Sequence, residues 1–321
     1  ALKTVSLKNQ GQSLSISLTP KAACPEAGPN RASPDGGPIP VALWRSGQRF
    51  SPTLEPLPAR TAPLAWPEVG CCLVTGGLGG FALTLAKEFS RGGRLALALL
   101  SRKGAVVDTA PESAFQRQRL SELDRIGVTV RSYACDVSDR AALSTTLQQV
   151  RAELGPVSAV VHCAGLPDGA FLLRQERDGF EKIVAAKAVG ARLLDELTRD
   201  DPLRAFVLFG SLTGLGGAPG QAAYAAANAY LASLAQWRRS QGRPALCIDW
   251  CALEGVGMAA RSERLRGQDL TLDPEGVRSA WRTAIASGLA RVSMLPPLTT
   301  RTAPQTPAMV AVTGSSAEPI G

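Results

Sequence analysis

A serine and a tyrosine in the second half of the chain are spaced as two groups that could act on one carbonyl oxygen. Ser211 follows the apolar run "AFVLFG", and Tyr224 begins a helical run thirteen residues later. Two hydroxyls that converge on a carbonyl oxygen polarise it, and the tyrosine can protonate that oxygen as hydride reaches the carbon. Free tyrosine has a pKa of about 10, so proton transfer near neutral pH requires a cation close to Tyr224.

That cation does not come from four positions after Tyr224, because the residue there is Asn228. The nearest candidate is Lys187, on the helical segment "FEKIVAAKAVGARLL", whereas Lys182 falls on the opposite, wetter side. One helical face holds Phe180, Ile183, Val184, Lys187, Ala191 and Leu194. A lysine on an apolar face is costly unless its ammonium reaches water or a partner, so ordinary snorkelling is the alternative interpretation. The asparagine at position 228 favours a catalytic role for Lys187.

The elements that must position these residues form a regular alternation from Gly70 onward. Helical segments separate the apolar runs, which are "CCLVTGG", "RLALALLSRKG", "VTVRSYACDVSD", "VSAVVHCAG", "LRAFVLFGSLTG" and "PALCIDWCAL". Continuous apolar strands between helices are typical of a parallel sheet covered on both faces. We therefore predict an α/β fold with a doubly wound, Rossmann-like parallel sheet over about 70–290, and a catalytic domain at 69–295.

The glycine-rich segment "VTGGLGGFA" at 74–82 lies where the first strand meets the first helix. Gly76 and Gly77 allow a tight turn, and Gly79 and Gly80 let the backbone approach a pyrophosphate at the helix N-terminus. The alternative is a flexible turn without a ligand. The strand–loop–helix context favours a dinucleotide site.

The end of the second strand decides which nicotinamide cofactor is expected. An acidic residue there would bind a ribose 2′-hydroxyl, but the sequence reads Ser101-Arg102-Lys103. The two cations favour the 2′-phosphate of NADPH over a merely basic loop. Asp136-Val137 is placed to contact adenine, and "HCAG" at 162–165 to pass under the nicotinamide ribose. The predicted cofactor-binding residues are Thr75, Gly76, Gly77, Leu78, Gly79, Gly80, Ser101, Arg102, Asp136, Val137, Cys163, Ala164, Gly165, Lys187 and Tyr224.

Composition excludes several other classes of function. The chain has 321 residues, is 45% hydrophobic and has a net charge of +8, but it has no basic run interleaved with aromatics that would indicate nucleic-acid binding. A phosphate-bearing cofactor and an acidic carrier protein would both suit the positive charge. We expect no membrane span and no signal peptide. Seven cysteines without C-x-x-C spacing and a single histidine predict no metal site and a reducing cytoplasmic location.

The two ends of the chain differ from this pattern. Residues 1–68 contain the strand-like "SLSISLTP", a Pro/Gly-rich loop and a possible hairpin around Ser46-Gly47. They are too few for an independent domain, so we predict a partial subdomain or linker at 1–68. Residues 296–321, rich in proline and threonine, are predicted to be a C-terminal linker.

The motifs "TGGLGG", "SR", "CDVSD", "HCAG", "GS" and "YAAANAYL", with a lysine-bearing helix between them, resemble the ketoreductase domain of modular type I polyketide synthases. This is a branch of the short-chain dehydrogenase/reductase superfamily, and the resemblance covers 70–255. In this branch the lysine and the asparagine exchange places relative to free-standing reductases. The resemblance implies a catalytic tetrad of Lys187, Ser211, Tyr224 and Asn228.

The resemblance also implies the reaction and its partners. It implies NADPH-dependent reduction of a β-keto group on an intermediate bound to an acyl carrier protein, among neighbouring polyketide synthase domains. Lys187 would lower the pKa of Tyr224 and hold the ribose, Ser211 would orient the carbonyl, and Asn228 would position a proton-relay water. The alternatives are a stand-alone carbonyl reductase and a non-catalytic structural or docking domain.

Two family features match this sequence incompletely. The family's structural subdomain has well over a hundred residues, whereas 68 precede the first strand here, of which 39–68 resemble the exit from that subdomain. B-type ketoreductases have Leu-Asp-Asp after the fourth strand, and A-type ones a tryptophan before the tyrosine. This chain has only Asp168 and no such tryptophan, which favours a B-type product unless Asp168 is a turn residue. The segment 255–277, with Met258, could be a substrate lid or an ordinary surface loop.

Overall fold

The computed structural model describes residues 5–9, 12–16, 20–21, 43–45, 48–50, 55–56, 63–90, 94–106, 112–166, 170–253, 271–295 and 308–311. The chain forms two compact units. One consists of 1–60 with 308–321, and the other of 61–307. The residues predicted to do chemistry all lie in the second unit.

The described part of the second unit contains seven strands in one parallel sheet. They are β1 (Cys71–Thr75), β2 (Ala96–Ser101), β3 (Val130–Ala134), β4 (Val157–His162), β5 (Ala205–Ser211), β6 (Leu246–Trp250) and β7 (Arg291–Leu295). Their order across the sheet is β3-β2-β1-β4-β5-β6-β7. The strand order reverses between β1 and β4, and ligands of such sheets bind at the carboxyl ends there. The predicted doubly wound fold is confirmed.

Helices connect these strands and cover the sheet. They are α1 (Gly80–Ser90), α2 (Ser113–Arg125), α3 (Arg140–Leu154), α4 (Arg177–Val184), α5 (Gly190–Leu197), α6 (Thr213–Gly216), α7 (Ala222–Ser240) and α8 (Pro274–Ala286). A π-helical turn, Ala185–Val189, joins α4 to α5. The Asp139 carboxylate accepts from two backbone N–H groups at the start of α3, and this cap fixes where the helix begins.

The central strands of the sheet are buried on both faces, which explains why they are mostly apolar. Every residue of β1, β4 and β6 is buried. On one face an aromatic cluster forms where Trp66 packs edge-on to Trp281 at 5.2 Å, with Phe89 and Phe209 beside them. The Trp66 indole N–H donates to the Phe89 carbonyl at 3.1 Å, so its polar atom is satisfied inside the core.

A buried ion pair holds the long helix α7 against α5. The guanidinium of Arg238, whose side chain is 1% exposed, pairs with Asp195 of α5 and lies 3.9 Å from the centre of the Phe206 ring. Arg243 binds the same carboxylate at 2.8 Å. Because α7 begins with the segment that contains Tyr224, this cluster also fixes the helix that presents that tyrosine.

The first unit is built from antiparallel strands. Val5–Asn9 pairs with Gln12–Ile16 and with Glu55–Pro56, and Glu55–Pro56 pairs with Ala308–Ala311. Leu43–Arg45 pairs with Gln48–Phe50, which confirms the hairpin predicted around positions 46–47. The domain boundaries predicted at 68 and 295 stay a prediction.

Candidate active site

The predicted catalytic residues come from three neighbouring elements at the carboxyl edge of the sheet. Ser211 ends β5, Tyr224 and Asn228 lie one turn apart near the start of α7, and Lys187 lies in the π-helical turn. The helix α7 packs on β5 and on the π-helical turn, so the fold brings segments distant in sequence to one edge.

Lys187 is 3% exposed, and its ammonium has two partners in the protein. Its Nζ donates to the Phe209 carbonyl at 2.7 Å and lies 5.3 Å from the centre of the Tyr224 ring. A buried ammonium is tolerated only where carbonyl oxygens or ring faces replace water. The structure therefore places the Lys187 ammonium beside the Tyr224 ring, as the sequence predicts.

Gly165, the last residue of the "HCAG" motif, makes room for this lysine. A methyl group added at Gly165 would lie 2.9 Å from Cε of Lys187, closer than carbon atoms tolerate. The sequence predicts that Gly165 contacts the cofactor. In the structure, the missing side chain of Gly165 also leaves space for the Lys187 side chain to extend toward Tyr224.

Thr213 fixes the hydroxyl of Ser211, and sequence reasoning did not identify it. The Ser211 Oγ accepts from the Thr213 backbone N–H at 3.3 Å and from the Thr213 hydroxyl at 3.0 Å. Because both bonds are accepted, the Ser211 proton can be donated to another group. The spacing of two residues after the serine was the available signal, since hydroxyl residues commonly close local turns at that spacing.

Asn228 is fully buried and uses only one end of its amide within the described part of the protein. Its Nδ2 donates to the Tyr224 carbonyl at 2.7 Å, one turn earlier on α7. Its Oδ1 has no hydrogen-bond partner among the described residues. Buried acceptors are normally satisfied, so this oxygen is suited to hold a water molecule.

The glycine loop between β1 and α1 has the backbone geometry of a phosphate cradle. Gly76 has φ of 63°, and a Cβ there would lie 3.0 Å from the Ala164 backbone. The Gln116 side chain of α2 donates to the Leu78 carbonyl at 2.9 Å and so supports the loop from outside. This role of Gln116 was missed, because nothing local in the sequence pairs two residues 38 positions apart.

The ends of β2 and β3 adjoin a basic surface. Arg102 and Lys103 are exposed after Ser101, whose hydroxyl accepts from the Gly104 N–H at 3.0 Å. Asp136 accepts from the backbone and the hydroxyl of Ser138, which lower its pKa, and the nearby Arg102 adds to the effect. The exposed cations, the cradle at Gly76 and the ammonium of Lys187 together suit a dinucleotide that has an additional phosphate.

Thr75 and Cys163, two of the predicted cofactor-binding residues, form hydrogen bonds with other parts of the chain. The Thr75 side chain is buried and accepts from the Ala164 N–H at 3.3 Å, and the Cys163 N–H donates to the Thr75 carbonyl at 3.1 Å. Burial raises the pKa of the Cys163 thiol, so that thiol stays protonated. The neighbouring predicted residue Val137 is likewise buried, at 6% exposure.

Several sequence-based predictions fall on residues outside those described. They include Asp168, most of the segment 255–277 with Met258, and most of the predicted linker 296–321. The described end of that segment, Thr271–Leu272, forms a short parallel pair with Ala252–Leu253. Within the described ranges, no helix is long and apolar enough to cross a membrane, and no group of three His, Cys, Asp or Glu side chains could hold a metal ion.

Residues 70–255 match the family model described as "KR domain". The chain belongs to this ketoreductase family. Members of the family are oxidoreductases of the short-chain dehydrogenase/reductase superfamily, and they use nicotinamide cofactors to reduce keto groups of polyketide intermediates. The family resemblance inferred from the sequence motifs is thereby confirmed.

Similar proteins include polyketide synthases and ketoreductases of known structure. The chain is 40% identical to erythronolide synthase EryA3 of Saccharopolyspora erythraea over 225 residues, which are 70% of this chain and 7% of the synthase. It is 40% identical to the spectinabilin polyketide synthase protein NorB of Streptomyces orinoci over 237 residues, 71% of this chain and 11% of that protein.

Solved ketoreductase structures share the fold. A structure described as an A1-type ketoreductase aligns with a TM-score of 0.70 at 36% identity, covering 82% of this chain and 55% of that one. The first ketoreductase of the tylosin synthase aligns with a TM-score of 0.67 at 34% identity, covering 79% and 54%. This chain thus spans about half the length of the solved ketoreductases and a small fraction of the synthases.

Proposed function

We propose that this ketoreductase uses NADPH to reduce the β-keto group of a polyketide intermediate, tethered to an acyl carrier protein, to a β-hydroxy group. The observation that supports it most directly is the buried ammonium of Lys187, 5.3 Å from the centre of the Tyr224 ring. A cation buried beside a tyrosine stabilises the tyrosinate, which makes the phenol a better acid near neutral pH.

The described residues fit NADPH at both ends. The glycine loop around Gly76 and the start of α1 would hold the pyrophosphate, and Arg102 with Lys103 would bind the 2′-phosphate. Lys187 would also reach the nicotinamide ribose. When bound, NADPH supplies hydride to the carbonyl carbon.

The chain's own residues handle the carbonyl oxygen and its proton. Ser211 donates a hydrogen bond to the carbonyl oxygen, with its hydroxyl held by Thr213. Tyr224 donates its proton to the same oxygen, and the Lys187 ammonium stabilises the phenolate that remains. Asn228 Oδ1 holds a water that returns a proton toward Tyr224.

The partner and the product configuration belong to the same proposal. The net charge of +8 suits an acidic acyl carrier protein, and neighbouring synthase domains would deliver and remove the substrate. The B-type, D-configured hydroxyl rests on Asp168, which lies outside the described residues. Reducing a racemic 2-methyl-3-ketoacyl thioester and determining the product configuration tests this part: an L-hydroxyl overturns the B-type assignment.

The Tyr224→Phe variant tests the catalytic assignment. NADPH oxidation by a soluble β-ketoacyl thioester should fall by at least about 100-fold, since general acid catalysis contributes about that much. Tyr230→Phe, two turns away on α7 and 37% exposed, is the matched control and should match the wild type. Undiminished activity in Tyr224→Phe contradicts the assignment.

Cofactor binding separates this proposal from a structural or docking domain. Titration with NADPH, followed by nicotinamide fluorescence, should saturate, and Arg102→Ala should weaken the binding. A chain that binds no NADPH would support the docking alternative. Activity with small free ketones equal to that with carrier-linked thioesters would favour a stand-alone carbonyl reductase.

A further inference from the structure

The imidazole of His162 is a buried ionisable group beside the site to which the proposed reaction assigns no role. It is the single histidine of the chain, it ends β4, and it is 0% exposed. Its Nε2 lies 2.9 Å from the Lys187 carbonyl, and its Nδ1 lies 2.7 Å from the Thr75 hydroxyl. The ring therefore links the ends of β1 and β4 to the turn that contains Lys187.

The hydrogen-bond partners determine which nitrogen holds the proton. The Lys187 carbonyl can only accept, so His162 must donate from Nε2. Nδ1 is then an acceptor and receives the Thr75 hydroxyl proton. The Thr75 oxygen in turn accepts from the Ala164 N–H at 3.3 Å, which completes a chain in which every donor has an acceptor.

The carbonyl that His162 binds belongs to an unusual turn. In the π-helical turn Ala185–Val189, the Gly190 N–H reaches back to the Ala185 carbonyl and is shared with that of Lys187. Such turns are rare and are found frequently at functional sites. The imidazole contacts this turn directly at Lys187, whose ammonium lies beside the Tyr224 ring.

We infer that His162 is a positioning residue for Lys187, holding its backbone carbonyl so that its ammonium stays beside Tyr224. The lysine is then fixed at both ends, at the root by His162 and at the tip by the Phe209 carbonyl, 2.7 Å from Nζ. Displacing a catalytic group by about 1 Å can cost about 100-fold in rate. This inference rests on the proposed function, in which the Lys187 ammonium stabilises the phenolate of Tyr224.

Two polar substitutions test the two hydrogen bonds of the His162 ring one at a time. His162→Gln keeps an N–H donor at the reach of Nε2, whereas His162→Asn ends one bond earlier and keeps only a partner for Thr75. The kcat of His162→Gln should stay within about threefold of wild type, and that of His162→Asn should fall by about 10- to 100-fold. The KM for the thioester should change by less than about twofold in both, because the substrate contacts are untouched.

Melting temperatures, measured in parallel, separate positioning from folding. The inference requires that the two variants melt alike while their kcat values differ. Equal kcat losses in both variants, or a wild-type kcat in His162→Asn, overturn it.

Nuclear magnetic resonance of the single imidazole tests the inference without turnover, so its failure is distinguishable from failure of the proposed function. In protein labelled with 15N-histidine, one ring should appear in the Nε2–H tautomer. Its resonances should shift in Lys187→Met, because the carbonyl moves when the side chain loses its anchor. An Nδ1–H tautomer or an unchanged spectrum overturns the inference, whether or not the wild-type protein reduces a thioester.

Discussion

The ammonium of Lys187 and the ring of Tyr224 lie 5.3 Å apart, although the two residues belong to different helices. The tyrosine lies in the first turns of α7, and the lysine in the π-helical turn between α4 and α5. Asn228, one turn after the tyrosine, uses its amide to bind the Tyr224 carbonyl. The cation that a reductase tyrosine needs thus reaches it from the neighbouring helix.

Replacing Lys187 by methionine keeps the length of the side chain and removes its charge. We expect kcat to fall by about 100-fold or more near neutral pH, because no cation then stabilises the phenolate that Tyr224 becomes when it donates its proton. Raising the pH should not restore the rate, because Tyr224 must hold its proton to donate it to the carbonyl oxygen; a pH–rate profile measures this. Lys182→Met removes an exposed charge from the same segment and should leave kcat unchanged. A similar fall in kcat in that variant would contradict a specific role for Lys187.

Thr213→Val should loosen the hydroxyl of Ser211 while leaving Ser211 itself in place. Only the hydrogen bond from the Thr213 hydroxyl is lost, since the backbone N–H of residue 213 still donates to Ser211. This loss predicts a kcat about 5- to 10-fold lower, equivalent to about 1 kcal/mol. Steady-state kinetics with a soluble thioester measures it. Thr213→Ser retains both donors and should restore the wild-type rate, so an impaired serine variant would point to packing instead.

Arg102→Ala tests which dinucleotide the chain selects. A charge-assisted hydrogen bond to a phosphate contributes about 1.5–3 kcal/mol, so the KM for NADPH should rise about 10- to 100-fold while that for NADH stays unchanged. Arg131→Ala on β3, whose guanidinium binds the adjacent Val130 carbonyl, is a control of equal charge. Equal effects on both dinucleotides would argue against a 2′-phosphate contact.

His162 should make folding stability depend on pH. Burial, with the positive charge of Lys187 adding to it, lowers the pKa of His162 to about 3. The unfolded chain takes up a proton below about pH 6.5 and the folded chain does not, so this stability is present above that pH and lost as the pH falls. Between about pH 7.5 and pH 5 the loss is about 2 kcal/mol.

Urea unfolding at these two pH values measures that loss. His162→Gln has no group that titrates there, so its stability should change by about 2 kcal/mol less than that of the wild type. Because the chain has no second histidine, other imidazoles cannot contribute. Parallel pH dependences in the two proteins would show that His162 titrates normally in the fold.

Arg238→Met should destabilise the protein strongly, because it leaves Asp195 buried in an apolar setting with one partner fewer. Removing one member of a buried pair costs about 3–5 kcal/mol, measurable by urea unfolding. Arg282→Met breaks an exposed pair with Glu88, in which the arginine is 57% exposed, and should cost about 1 kcal/mol or less. Similar costs for the two variants would mean that the Asp195 cluster is solvated.

The fold was predictable because its signal repeats along the chain. Fully buried strands such as β1 and β4 are mostly apolar, and the intervening helical segments leave a parallel sheet as the simple solution. The family could be identified from short motifs. The proximity of Lys187 to Tyr224 followed from one local conflict, an apolar helical face with a lysine in it and an asparagine where a cation was needed.

The supporting contacts could not be predicted, because they join residues far apart in sequence. Gln116 binds the Leu78 carbonyl from 38 residues away, and the Thr75 hydroxyl meets His162 from 87 residues away. Each bond depends on how two elements pack, which no single segment encodes. The π-helical turn was equally invisible, since its sequence "AAKAV" is typical of a regular helix.

Because Lys187 lies in the π-helical turn, the direction of its side chain depends on the number of residues in that turn. A regular α-helix turns by about 100° per residue, so converting this turn into α-helix by deleting one alanine would swing the later side chains by that angle. In relatives that keep the lysine but have one residue more or fewer in this turn, a different face of α5 would pack against the sheet. Insertions and deletions in this segment are therefore as consequential for this site as substitutions of its polar residues.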